Sequence, residues 1–304
     1  MFRNEQDDVC MLWQNEPTVV IGKNQNAFVE VDLDALRENG VHLARRITGG
    51  GAVYHDSGNV NFSFISSNSA ETGLDFAKFT APIVRALASL GVRAELSGRN
   101  DLLLDGQKFS GNAQYSAGGR TLHHGTLLFD ADLSVLARYL RPDEEKLAGK
   151  GIKSVRSRVT NLAPHLQFSA TTGEFIACLA RFLREEYTPV EPPVPQNAEI
   201  DALFARNASR EWLFPERELV AGYTLHQKKR FPFGSVEITL AMHNDVVCDA
   251  VIQGDFFGSV PVESLERMLC QKTLAQIKCD VAQIDLSGYI FGMDADAFAS
   301  LLEF

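Results

Sequence analysis

Residues 44–56 read ARRITGGGAVYHD. A strand-like run, VHLARR at 41–46, ends in Arg45 and Arg46, passes Thr48, and meets three consecutive glycines, Gly49, Gly50 and Gly51. Ala52, Val53 and Tyr54 then begin a second apolar run. Glycine loses more backbone entropy on ordering than any other residue, so three in a row need a reason. One reason is chemical. Adjacent glycines let backbone N–H groups converge on an anion with no Cβ in the way. Arginine adds a planar donor fork that matches phosphate or carboxylate. A tight turn beside a solvated arginine pair is the plainer reading of the same letters.

The surrounding composition narrows the classes. The chain has 304 residues, 45% hydrophobic and 22% charged, which suits one large globular domain or two unequal ones. No stretch has the apolar length of a bilayer span, and the start, MFRNEQDDVC, lacks the basic and apolar regions of a secretory signal. Five cysteines, at 10, 178, 248, 270 and 279, are scattered and form no Cys-x-x-Cys. That pattern predicts no disulfide framework, no zinc site and a reducing cytoplasm. The net charge of −10 disfavours sequence-independent nucleic-acid binding, which needs a basic surface.

Outward from the glycines, VCMLW at 9–13 and TVVIG at 18–22 read as two strands joined by a turn. Asp32 is expected to cap a helix over 33–39 that Gly40 stops. NVNFSFI at 59–65 is a strand. The run 75–90 has helical periodicity, with Pro82 expected to kink or break it. Residues 92–97 and 101–111 follow as strands, Asp105-Gly106 being a hairpin turn. TLHHGTLLF at 121–129 is another strand, DLSVLARYL at 132–140 a capped helix, and 148–162 a basic loop. Residues 171–187 form an amphipathic helix, and TPVEPPVPQ at 188–196 is a proline-rich linker. Helical residues at 200–207 and 211–214 precede strands joined at Asn244-Asp245, then helices from Val262 and Ala295. The fold class is α+β, with a boundary between 1–212 and 216–304.

Several familiar sites are excluded by inspection. There is no Gly-x-Ser-x-Gly elbow, no Gly-x4-Gly-Lys-Ser/Thr loop and no His-Glu-x-x-His, and Tyr54 stands where a dinucleotide fingerprint needs its third glycine. What remains is Arg45-Arg46, the glycine run, Asn100-Asp101, Lys108, His123-His124 and the basic loop. Lys108 follows a tight hairpin and offers a point charge on a rigid element, and Asp101 is an acid able to hold magnesium. Singly these residues are ordinary: a hairpin lysine, turn residues, one core histidine and a solvated charge run. Jointly they suit a reaction that develops negative charge on phosphate and acyl oxygens.

The stretches 13–26, 43–64, 97–114, 122–140 and 150–162, with KRFPFGSVEITL at 229–240 and VIQGDFFG at 251–258, together resemble the lipoate–protein ligase A family in order and spacing. The resemblance implies a mixed-sheet catalytic domain of the biotin/lipoate ligase type and a small α+β accessory domain that moves during catalysis. It implies ATP-dependent activation of lipoate to lipoyl-AMP with Mg²⁺. The acyl group then passes to a lysine of apo lipoyl domains: E2 subunits of 2-oxoacid dehydrogenases and the glycine-cleavage H protein. By the same resemblance Lys108 is catalytic. Arg46, Thr48, Gly49, Gly50, Gly51, Ala52, Val53, Tyr54, Asn100, Asp101, His124, Lys150 and Arg156 bind substrate or nucleotide, with Asp101 at the magnesium.

Family members usually carry another strand and the start of a helix ahead of VCMLW, so the expectation is a start lying upstream or a shortened chain. An octanoyltransferase on the same fold needs a cysteine nucleophile near the site. None lies between Cys10 and Cys178. A biotin ligase has a different arginine–glycine loop, and a non-catalytic lipoyl-domain binding module is the remaining alternative. With an acidic protein and acidic acceptors, recognition is expected to use KGIKSVRSR at 150–158 and HQKKR at 226–230.

Overall fold

Strand pairing decides where each of these segments goes. In a computed structural model, which describes residues 8–67, 74–141, 159–189, 198–216 and 222–304, twelve strands fall into three sheets. The chain forms two compact units. One comprises Met1–Val20, Asp32–Leu43 and Val53–Phe204; the other comprises Ile21–Val31, Ala44–Ala52 and Ala205–Phe304. The glycine run therefore groups by contacts with the C-terminal residues. Each unit is discontinuous in sequence.

In the first unit a six-stranded sheet has the order β1-β5-β9-β8-β7-β6: Val9–Trp13, Asn59–Ser67, Arg120–Leu128, Gln107–Ala117, Asp101–Leu104 and Glu95–Ser97. Its strand pairs are antiparallel, and one parallel bridge, Lys108 to Val159, gives it mixed character. β2 (Thr18–Ile21) lies in a separate sheet with β3 (His42–Arg45) and β4 (Val53–His55). Both strands expected at 9–13 and 18–22 are present, and β1 pairs with β5, where Trp13 Nε1 donates to Ser63 Oγ at 2.9 Å. Val19, Val20 and Ile21 are buried in the other sheet.

β5 is buried from Asn59 to Ser66, and helix Phe76–Ser89 sends Phe79, Ile83 and Leu87 into the same core. Asp75 caps that helix through Lys78 N at 2.9 Å. The helix runs through Pro82 without a break. The proline's missing N–H removes one hydrogen bond, but the buried stripe on both sides, Pro82 included, holds the helix together. The capped helix expected over 132–140 is corrected. Only Leu136–Tyr139 is helical, without a side-chain cap, because Asp132 Oδ1 accepts from Ser134 N instead. Helix Thr172–Leu183 closes the core with a full capping box of Thr171 and Glu174.

The second unit holds β10 (Leu225–Phe231), β11 (Gly234–His243) and β12 (Val246–Gly254) as an antiparallel sheet. Asn244 and Asp245 turn the β11–β12 hairpin with φ of 49° and 62°, as their sequence predicts. Helices Val262–Leu269 and Ala295–Ser300 cover the sheet; Leu274–Val281, capped by Thr273, was not legible beforehand. Among the described residues no helix is long and apolar enough to cross a membrane.

One buried group ties stability to pH. His123 is completely buried, stacked on Phe79 at 5.3 Å and on Phe62 at 5.7 Å. Burial lowers its pKa from 6.5 to about 3. The folded state therefore binds fewer protons than the unfolded chain between those values, and stability falls as pH drops through 6.5 toward 3. Between pH 7 and pH 5 this residue alone removes about 2 kcal/mol. Urea titrations of wild type and His123→Phe check this: the variant has a shallower slope of stability against pH over that interval.

Candidate active site

Lys108 is the second residue of β8, after the Asp105-Gly106 turn, where φ is 50° and 77°. Leu103 faces Lys108 and Leu102 faces Ser110, so Phe109 is a bulge residue. Bulges re-aim side chains next to functional sites. The Lys108 ammonium lies 2.7 Å from Asp101 Oδ1 on the neighbouring strand. Gly111 makes the bed for it: a Cβ there would sit 3.0 Å from Nζ and 3.2 Å from Cε. The backbone is held as well, Thr160 N donating to Lys108 O at 2.9 Å. Both charged side chains are a little over one-third exposed, so the pair is open to an incoming anion.

Asn100 precedes Asp101 and is tied to β8 in three ways. Asn112 N donates to Asn100 O at 2.9 Å, Asn112 Nδ2 donates to the same oxygen at 3.0 Å, and Asn100 Nδ2 donates to Asn112 O at 2.6 Å. His124 stands on β9 opposite Ala113 and Ser63, with His123 on the alternate face. Tyr54, on β4, packs its ring 5.4 Å from that of Tyr139. Burial, then the nearby Asp56, raises its pKa to about 12, so it is a neutral phenol.

The other expected residues belong to the second unit. Arg45 is buried; it donates to the carbonyls of Gly22, Lys23 and Gln25 at 3.3, 3.1 and 2.6 Å, and to Leu213 O at 2.7 Å. It staples backbone segments. Arg46 Nη2 reaches Gly49 O at 2.7 Å and Gly51 O at 2.8 Å, while Nε reaches Thr48 Oγ1 at 3.0 Å. Burial lowers its pKa to about 10, which leaves it charged at neutral pH. The expectation that Arg46 presents a fork to an anion is therefore sharpened: these donors curl the glycine loop on itself. Thr48 is buried, and its carbonyl accepts from Lys23 N at 2.9 Å.

The glycines have distinct reasons. A Cβ on Gly49 would lie 2.0 Å from Phe256 O, and Gly50 has φ of +92° and donates to Phe256 O at 3.4 Å. Gly51 has nothing within 4 Å of its would-be Cβ. Phe256 and Phe257 were not foreseen as the seat of this loop; the clue was the quoted GDFFG. The expected constellation thus forms two groups. Asn100, Asp101, Lys108, His124, Val53 and Tyr54 belong to one unit, and Arg46, Thr48, Gly49–Gly51 and Ala52 to the other. Lys150 and Arg156, with most of the basic loop and the proline-rich linker, lie outside the described residues.

Three residues of HQKKR pair with acids of the same chain. His226 is 2.8 Å from Glu237, Arg230 is 3.4 Å from Asp255, and Lys229 lies 3.6 Å from Glu303. Lys229 also donates to Ser300 O at 2.5 Å, at the end of helix Ala295–Ser300. Cations at helix C-termini bind the last carbonyls and oppose the dipole. Lys229→Ala is expected to lower stability by about 1 kcal/mol with no change in adenylation; chemical denaturation beside an activity assay tests both. Among the thiols, Cys10 is raised to about 12 by burial and then by Glu186, which makes it a poor nucleophile.

Comparison with known proteins now identifies the class. Residues 1–184 match the lipoyl protein ligase A/B catalytic domain, and residues 221–302 match the bacterial lipoate protein ligase C-terminus. Lipoate-protein ligase LplJ of Bacillus subtilis is 37% identical over 98% of this chain and 91% of its own length. P. falciparum LipL1, solved in complex with lipoate, superposes with a TM-score of 0.76 at 26% identity, covering 97% of this chain and 86% of that one. A lipoate-protein ligase A bound with ATP superposes at 0.58 with 29% identity, over 69% and 88% of the two chains. A bipartite archaeal ligase from Thermoplasma acidophilum, 31% identical over 70% of this chain and 87% of its own, is described with its E2 lipoyl domain at a TM-score of 0.59. The chain belongs to the lipoate–protein ligase family, and the α+β fold is that of these ligases.

Proposed function

We propose that the chain is an ATP-dependent lipoate–protein ligase acting on lipoyl domains, with 1–212 as its catalytic and 216–304 as its accessory region. The observation that carries the reading is the bulge-aimed Lys108, 2.7 Å from Asp101 on the adjacent strand. In the first step a lipoate carboxylate oxygen attacks the α-phosphorus of ATP, and the bond to pyrophosphate breaks. Both reactants are anionic, so their approach is repulsive until a fixed cation offsets it. Lys108 supplies that charge on a rigid strand, where it costs little reorganisation. In the second step the amine of an acceptor lysine attacks the acyl carbon and AMP leaves. The same ammonium stabilises the acyl oxygen as charge builds there.

Magnesium fits the residues present. It is commonly held by one or two carboxylates together with substrate phosphates. Asp101 offers one carboxylate, and among the described residues no group of three or more His, Cys, Asp or Glu forms an ion cage. Asp101 would hold the ion, which neutralises phosphate charge when bound.

An octanoyltransferase mechanism finds little support, since the Cys10 thiol is held protonated. The acceptor is proposed to be an apo lipoyl domain of E2 or H-protein type. The deciding assay contains free lipoate, ATP, Mg²⁺ and an apo lipoyl domain. A ligase gives pyrophosphate release and the lipoyl mass shift together. Acyl transfer only from octanoyl carrier protein, or binding without either signal, refutes the reading.

A further inference from the structure

Between helix Phe76–Ser89 and β7 runs a buried chain of polar side chains that the proposed reaction does not use. Its far end is backbone: Asp75 N donates to Gln114 Oε1 at 2.9 Å, and Gln114 Nε2 donates to Asp75 O at 2.8 Å. These two bonds fix which way the Gln114 amide points. Its remaining proton on Nε2 meets His123 Nδ1 at 2.9 Å, so Nδ1 accepts. The ring therefore carries its proton on Nε2, which lies 3.2 Å from Asn112 Oδ1 and donates to it.

That fixes the second amide in turn. Asn112 Nδ2 points at Asn100 O, 3.0 Å away, and at Ser110 Oγ, 3.3 Å away. Gln114, His123 and Asn112 are 1%, 0% and 3% exposed, so water does not compete for these bonds. The chain has room because residue 125 is glycine: a Cβ there would lie 2.2 Å from Asn112 Oδ1 and 2.5 Å from Phe62 Cζ. Asn100 is followed directly by Asp101, the carboxylate that holds Lys108.

We propose that His123 is a positioning residue for adenylation. Through Asn112 and Asn100 it sets where β7 places Asp101, and hence where the Lys108 ammonium sits. The inference rests on the reading of Lys108 as the catalytic cation. His123 touches no substrate. Its imidazole is neutral throughout the working pH range, as its burial requires, so the relay transmits geometry and not charge. Misplacing a catalytic group by a fraction of its hydrogen-bond length lowers turnover more than binding.

The test compares His123→Leu, His123→Gln and Lys108→Ala, each checked for cooperative unfolding and assayed for lipoyl-adenylate. Gln keeps a donor for Asn112; Leu does not. His123→Leu is expected to lower kcat about tenfold or more, with lipoate and ATP KM within about twofold, and His123→Gln to recover most of the loss. Should His123→Leu fail to fold, Asn112→Ser serves in its place, with the same split expected. As a second readout, the Lys108 resonance in reductively ¹³C-methylated protein, assigned by its absence in the Lys108→Ala protein, shifts in the folded His123 or Asn112 variant. A folded His123→Leu or Asn112→Ser with wild-type kcat and an unmoved Lys108 resonance overturns the proposal. So does a folded His123→Gln as impaired as His123→Leu. If Lys108→Ala itself makes adenylate normally, the catalytic reading fails first, and the outcome is distinguishable from failure of the relay alone.

Discussion

Lys108→Ala is expected to lower lipoyl-adenylate formation by roughly 10²–10³-fold, about 3 kcal/mol of transition-state stabilisation. The effect on stability is small by comparison. The Lys108–Asp101 pair is more than one-third exposed on both sides, and ion pairs in that setting contribute about 1 kcal/mol or less. Removing the amine leaves Asp101 able to reach water. The fold loss and the chemical loss are thus separable: urea midpoints stay close while pyrophosphate release collapses. Lys108→Arg is a sharper probe. It keeps the charge but replaces a compact ammonium with a planar fork that is wider than the bed left by Gly111, where only 3.0 Å separates a would-be Cβ from Nζ. Arginine is therefore expected not to restore the rate. Normal pyrophosphate release from Lys108→Ala sinks the assignment.

How much of this was legible in the letters differs from residue to residue. The Asp105-Gly106 hairpin, and with it the position of Lys108, follows from local turn chemistry, because only a few residue types adopt φ of 50° and 77°. The Asp32 cap follows for the same reason: side chain and backbone are close in sequence, and its carboxylate accepts from Ala35 N at 2.9 Å. The partner of β1 was not legible. A strand's apolar pattern says that it will be buried but not beside which strand. The continuity of the helix through Pro82 was not legible either, since tertiary burial offsets the local cost of the missing N–H. At the candidate site, the types of residue were readable and their bonding was not. That Arg46 binds the carbonyls of Gly49 and Gly51 was not readable from its residue type. The Gln114–His123–Asn112 chain was invisible because its members lie on two different strands and gain meaning only through register. Of the two histidines, strand alternation guaranteed that one faces inward, but not that His123 would be the one.

The glycine run is where a single methyl group has the largest structural consequence. Gly49→Ala places a Cβ 2.0 Å from Phe256 O, 3.0 Å from its carbonyl carbon and 3.1 Å from Phe257 Cα. These are backbone atoms, so no rotamer change relieves the clash; the loop or the segment after β12 has to shift. Overpacking of this kind costs about 3 kcal/mol. The shift also strains Gly50, whose φ of +92° and 3.4 Å bond to Phe256 O depend on the same approach. It disturbs the two carbonyls that Arg46 holds, so adenylation is expected to fall along with stability. Gly51→Ala is the matched control. It adds the same methyl group two residues away, in open space and without a left-handed φ, and is expected to change stability by no more than about 0.5 kcal/mol. If the glycines served only to keep the loop supple, the two substitutions would be equivalent, since each removes the same backbone entropy from the unfolded chain. Chemical denaturation of both variants decides: a Gly49→Ala protein as stable as Gly51→Ala means that close approach to Phe256 is not what requires glycine here.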